Sequence, residues 1–181
     1  NGVYDYLSNI IKRNPESEII LYNFEKLCGY KFNQIIIKKL VKDFPMQILG
    51  VKDSTYNLYE TIKIPNFLVF PGSETKLLKG LEIGCSGIIS AVCNVTAPLA
   101  RKVYDDYNNK NKQTFNTKLC LVRSVFDKYN LISGLHSFMS TENKKYNKVL
   151  PPLSLLSKEE EKELFTQLKK LDFFPKKNIA A

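Results

Sequence analysis

The stretch QILGVKD at Gln47–Asp53, read beside EIILYN at Glu18–Asn23, decides the fold. Each is a short apolar run of strand length, and each is followed by a segment of helical or turn character. Alternation in QILGVKD places Ile48, Gly50 and Lys52 on one face and Leu49, Val51 and Asp53 on the other. In EIILYN, Ile20 and Tyr22 share a face. Lys52 and Tyr22 therefore stand at the C-terminal ends of their strands, about 5 Å apart if the strands are parallel neighbours.

Working outward, Val3–Lys12 carries apolar residues at helical spacing and ends at Asn14-Pro15. Asn33 is placed to cap a helix over Asn33–Asp43. A further helix is expected over Ser54–Thr61, a third strand over Asn66–Phe70, and a helix over Thr75–Ile83 stopped by Gly84. Gly87–Ala91 is expected as a fourth strand and Ala97–Asn108 as its helix. Beyond that point the strand signals cease. Thr114–Tyr129 and Ser133–Thr141 have helical spacing, and Ser157 with Glu160 forms a capping-box signature opening a helix to Leu171.

Four strand–helix units at this spacing call for a parallel sheet, either open and doubly wound or part of a (β/α)8 barrel. The first strand is followed by no glycine-rich phosphate fingerprint, which counts against dinucleotide binding. A whole barrel takes about 250 residues, so four units supply half of one. The expected division is residues 1–112 for the barrel half and 113–181 for a C-terminal helical extension.

Composition narrows the function classes. The net charge of +9 over 181 residues comes from dispersed lysines, with local pairs such as Lys38-Lys39, Lys144-Lys145, Lys169-Lys170 and Lys176-Lys177. No basic stretch alternates with aromatics, so a nucleic-acid partner is not expected. No apolar run reaches the length of a membrane span. Cys28, Cys85, Cys93 and Cys120 form no CxxC pair, and with one histidine a zinc site is not expected. The cysteines read as reduced structural thiols of a cytoplasmic protein.

A lysine at a strand end is most often solvated, and a tyrosine in a strand is most often core. Aimed into a partly apolar interior, however, a lysine loses hydration of its ammonium form and is pushed toward the free amine. That amine can attack a ketone and form an iminium, an electron sink for carbanion character at the neighbouring carbon. A tyrosine in reach can relay the proton. Gly50, on the same face, is expected to leave room for a substrate.

Five strings occur in order: ILYN at Ile20–Asn23 with Gly29, GVKDS at Gly50–Ser54, PGSE at Pro71–Glu74, GCSGIIS at Gly84–Ser90 with Asn94 and Pro98, and VLPPL before an acidic helix. This succession resembles the second half of the dihydrodipicolinate synthase and N-acetylneuraminate lyase family and covers nearly the whole chain. The resemblance implies strands five to eight of a (β/α)8 barrel with a helical extension, and a homo-oligomer, usually a tetramer. It implies Lys52 as the Schiff-base lysine for pyruvate or another 2-keto acid, Tyr22 as proton relay, and no separate cofactor or metal. Ser54, Gly72, Glu74 and Ala91 match positions that meet the hydroxylated part of the substrate, and Ile89 one whose backbone lies against the pyruvyl part.

The departures refine this. Where synthases and sialate lyases read YNxPxRxG, Glu25 replaces the proline and Leu27 the arginine. That argues against aspartate semialdehyde, since Lys26 is a point charge and not a bidentate fork. The pattern is nearest the 2-keto-3-deoxygluconate aldolases. A catalytically silent homologue, acting as a binding or regulatory subunit, is the expectation from another class. The family's Gly-Thr/Ser-rich carboxylate loop and first four strands are not found, and the intact protein is expected to begin upstream of Asn1.

Overall fold

A computed structural model describes residues 2–175; the Lys176-Lys177 pair lies outside the described residues. The chain divides into two compact units: Asn1–Gly72 with Lys79–Ile89, and Ser73–Leu78 with Ser90–Ala181. The division falls upstream of the expected boundary at 112/113, because the helix before that boundary belongs with the later helices.

The first unit holds helix α1 (Gly2–Arg13), strand β1 (Ile19–Asn23), the one-turn helix α2 (Glu25–Cys28), α3 (Gln34–Asp43), β2 (Ile48–Asp53) and β3 (Leu68–Pro71). The three strands form one parallel sheet in the order β1-β2-β3. Leu21, Val51 and Val69 pair across it and point into a core shared with Ile11 of α1 and Ile36, Ile37 and Leu40 of α3. The helix α3 starts where the sequence places it, with the Asn33 side chain accepting from the Ile36 amide at 3.0 Å. The other face of the sheet carries two rows: Ile20, Gly50 and Leu68, then Tyr22, Lys52 and Phe70.

Two expected elements do not form. Ser54–Thr61 is a run of bends and turns, not a helix. The buried Asp53 carboxylate takes the amides of Tyr56, Leu58 and Tyr59, at 2.8–2.9 Å, and Tyr56 adopts a φ of 61°. Those amides cannot also enter a regular helical ladder. Gly87–Ala91 is likewise not a ladder strand, so the described residues hold three strands and not four. Residues 86–89 still run beside β3: the Ser86 and Ile89 amides donate to the Val69 and Pro71 carbonyls. Gly87, at φ 146°, breaks the regular geometry between them.

The helix α4 (Leu77–Glu82) ends before Gly84, which takes a φ of 91°. The second unit is helical: α5 (Cys93–Asn108), α6 (Asn116–Phe126), α7 (Leu131–Ser140) and α8 (Lys158–Lys170). The first of these begins four residues before the expected Ala97. Its core gathers Val95, Val122, Phe126, Leu135, Phe138, Leu164 and Leu168, with Phe138 stacked on Phe165 and Phe173 and edge-on to Phe126. Ser157 and Glu160 form the full capping box of α8. No helix among the described residues is long and apolar enough to cross a membrane.

Candidate active site

Tyr22 and Lys52 are partners in the parallel register of β1 and β2, one residue before each strand ends. The Lys52 Nζ lies 4.0 Å from the centre of the Tyr22 ring, over its face. Tyr22 is 43% exposed and Lys52 half-buried. Gly50 does not leave room for a substrate: a Cβ there would meet the Leu68 carbonyl oxygen at 2.4 Å and the Ile20 Cδ1 at 3.0 Å. Its lack of a side chain is used by the sheet itself, which corrects the expectation from sequence.

One residue further along, both strands turn the opposite way and bury polar groups. Asn23 and Asp53 are register partners and 0% exposed. The Asn23 amide donates to Asp53 Oδ1 and Asn57 Oδ1, each at 2.7 Å, while its oxygen accepts from the Phe32 amide. Asp53 accepts four bonds in all, three of them from backbone amides. A buried carboxylate so satisfied is a framework group. It clamps the ends of β1 and β2 and so fixes the spacing of Tyr22 and Lys52. The signal for these residues was available: a polar side chain on the core-facing side of a strand needs a buried partner.

The other candidates divide between the units. Ser54, Gly72 and Ile89 accompany Tyr22 and Lys52 in the sheet unit, while Glu74 and Ala91 belong to the helical unit. The strand pattern continues past the ladder, since the Ser54 amide donates to Asn23 O and the Gly72 amide to Asp53 O. A Cβ at Gly72 would stand 2.1 Å from Ser54 Oγ, so glycine there makes room for that hydroxyl. Ile89 is 40% exposed, and the Ala91 carbonyl accepts from Asn94.

Glu74 departs most from its expected role. It is 0% exposed, and both oxygens are engaged: Oε2 by Ser90 Oγ and Arg123 at 2.7 and 2.8 Å, Oε1 by Thr96 Oγ1 at 3.0 Å. Arg123 also bonds Asp127 at 2.7 Å. Burial works against the guanidinium's charge, but Glu74 and Asp127 hold it above its ordinary range. As placed, Glu74 is a buried structural carboxylate and not a group presented to a substrate. Sequence reading passed over Arg123, an arginine within the apolar run LCLVRSVF. Beside this pair, burial and then the Glu74 charge push the Cys93 thiol up to about 12. All four cysteines are free; Cys85 is buried and Cys28 exposed.

A parallel α/β sheet with a lysine and a tyrosine side by side at its C-terminal edge defines the class. The chain belongs to the dihydrodipicolinate synthetase family, which matches residues 1–171. It is 26% identical over 192 residues to the 4-hydroxy-tetrahydrodipicolinate synthase of Thermus thermophilus, covering 99% of this chain and 62% of that protein. It is 23% identical over 161 residues to the 2-dehydro-3-deoxy-D-gluconate/2-dehydro-3-deoxy-phosphogluconate aldolase of Picrophilus torridus, covering 84% and 59%. Its fold matches the crystal structure, in complex with pyruvate, of a prophage protein of the dihydrodipicolinic acid synthase family from E. coli K12. That match has a TM-score of 0.83 at 20% identity and covers 95% of this chain and 61% of the other. The chain spans 62% and 59% of the length of these two curated relatives.

Proposed function

We propose that the chain carries the Schiff-base lysine, Lys52, and the proton relay, Tyr22, of a pyruvate-dependent carbon–carbon lyase. The observation that carries this reading is their in-register pairing on neighbouring parallel strands, with the amine over the ring at 4.0 Å. In this reading β1, β2, β3 and the segment 86–89 occupy the fifth to eighth strand positions of a (β/α)8 barrel. The helical unit forms the C-terminal extension of a homo-oligomer.

The Lys52 amine adds to the keto carbon of the substrate, and the resulting carbinolamine takes up one proton and loses water to leave a cationic iminium. Tyr22 relays the proton of the substrate hydroxyl, its phenol passing one proton on for the one it takes up, as the adjacent carbon–carbon bond breaks. The bonding pair flows into the iminium to give an enamine, and an aldehyde departs. Protonation and hydrolysis then release pyruvate and restore the amine. No separate cofactor enters this scheme. Within the sheet unit, Ser54 and Gly72 remain the candidates for the hydroxylated part of the substrate and Ile89 for the pyruvyl part; Ala91 and the engaged Glu74 belong to the helical unit.

The substrate class favoured is a 2-keto-3-deoxy sugar acid. Leu27, 74% exposed, stands where a bidentate arginine would be needed for the carboxylate of aspartate semialdehyde. The relatives named as synthases keep dihydrodipicolinate formation as the second reading, with N-acetylneuraminate cleavage beside it. Borohydride reduction of the intact protein with pyruvate is expected to leave a carboxyethyl adduct on Lys52 and none in Lys52→Arg. An unlabelled Lys52 would sink the proposal. Condensing pyruvate with a panel of aldehydes then separates the substrates.

A further inference from the structure

The contact between Lys52 and Tyr22 is made with the ring face, 4.0 Å from Nζ to the ring centre. The ring is itself held by a second one: the Tyr22 and Phe24 centroids are 5.7 Å apart, tilted by 40°. Below this layer Ile20 and Leu68 take up the space over Gly50. The ring's edge strand is fixed through Asn23 and Asp53. An aromatic face carries negative quadrupole charge and attracts a cation, and this attraction does not need the hydroxyl.

We propose that the Tyr22 ring face is a cation seat for the Lys52 nitrogen, a role separate from proton relay by its hydroxyl. Its place in the cycle rests on reading Lys52 as the Schiff-base lysine. An ammonium plus a ketone gives an iminium plus one water, so the nitrogen carries one positive charge at both ends of the step. The ring therefore stabilises the resting ammonium and the iminium alike. Only the neutral amine and the carbinolamine between them lack that attraction. The seat holds the cationic nitrogen against the ring at both ends of the step, and so favours the iminium that withdraws electrons.

The test compares variants that all lack the hydroxyl. Acylation of Lys52 by a small amine reagent, without pyruvate, is followed by mass spectrometry and normalised to the exposed Lys169. Tyr22→Phe is expected to label at the wild-type rate and Tyr22→Leu about fivefold faster, the size of a partly exposed cation–π contact. Tyr22→pentafluorophenylalanine keeps the ring's shape but drains its face of electron density, and is expected to label like Tyr22→Leu. Because it preserves volume, it reports even if the leucine variant fails to fold. Equal labelling in the phenylalanine and pentafluorophenylalanine variants would overturn the seat. Absence of a pyruvate adduct in the wild type would instead overturn the Schiff-base reading, so the two failures are distinguishable.

Discussion

Asp53 and Glu74 are both carboxylates with 0% exposure, and the molecule satisfies them in opposite ways. Asp53 is met by its own neighbourhood, through the amides of Tyr56, Leu58 and Tyr59 and the side chain of its register partner Asn23. Glu74 is met by a guanidinium 49 residues away in the sequence, with two hydroxyls completing its shell. Backbone amides carry no net charge and are already present wherever the chain turns. A guanidinium must be delivered by a folded helix and desolvated on arrival. The first arrangement shapes a loop and fixes a strand pair. The second ties the segment after β3 to α6 within the helical unit.

Removing one partner is the harshest test of this contrast. Arg123→Ala strands a buried charge and is expected to cost about 3–5 kcal/mol in urea unfolding. The double replacement Glu74→Leu with Arg123→Met removes both charges and should recover most of that loss. If it does not, the pair is not the self-contained tie described. Asp53→Asn leaves one oxygen to serve donors that now share two, at about 1.5–3 kcal/mol. It is also expected to lower the pyruvate adduct at Lys52, which Arg123→Ala in its still-folded fraction should not.

Gly50→Ala drives a methyl group into the Leu68 carbonyl and is expected to cost about 1–3 kcal/mol as overpacking. A neutral result would mean that the β2–β3 pairing yields to the added methyl group. Ser157→Ala removes the cap of α8 and should cost about 1 kcal/mol, the smallest of the structural effects.

The finest test is the pH dependence of Cys93. Its folded thiol is raised from an ordinary 9.0 to about 12, so between those values the native state holds a proton that the unfolded state releases. The contribution is complete below about pH 9 and is lost as the pH rises toward about 12. Relative to Cys93→Ala, the wild type should lose stability between about pH 8 and pH 10. At about pH 8 iodoacetamide should modify exposed Cys28 well before Cys93.

The order of elements was legible because it depends on periodicity and caps. Asn33 and Ser157 cap the helices they were expected to cap, and the alternation in β1 and β2 put Tyr22 and Lys52 on the faces that the parallel register then brings side by side. The misreadings have a common origin. Ser54–Thr61 was expected as a helix, but the Asp53 carboxylate draws its amides away. Residues 86–89 carry strand-forming residues and align with β3, yet Gly87 interrupts the ladder. Gly50 reads as substrate space in the sequence because nothing in its own strand reveals that Leu68 lies against it.

By itself, the sequence determined which residues alternate, where the capped helices α3 and α8 begin, and that a tyrosine and a lysine each stand near the C-terminal end of a strand; these follow from local stereochemistry. Only the tertiary structure decided that Lys52 rests on the ring of Tyr22, that Gly50 is closed over by its neighbours, and that Glu74 is turned inward to Arg123. Each of those depends on what a distant segment places against a residue, and neither spacing nor propensity records that.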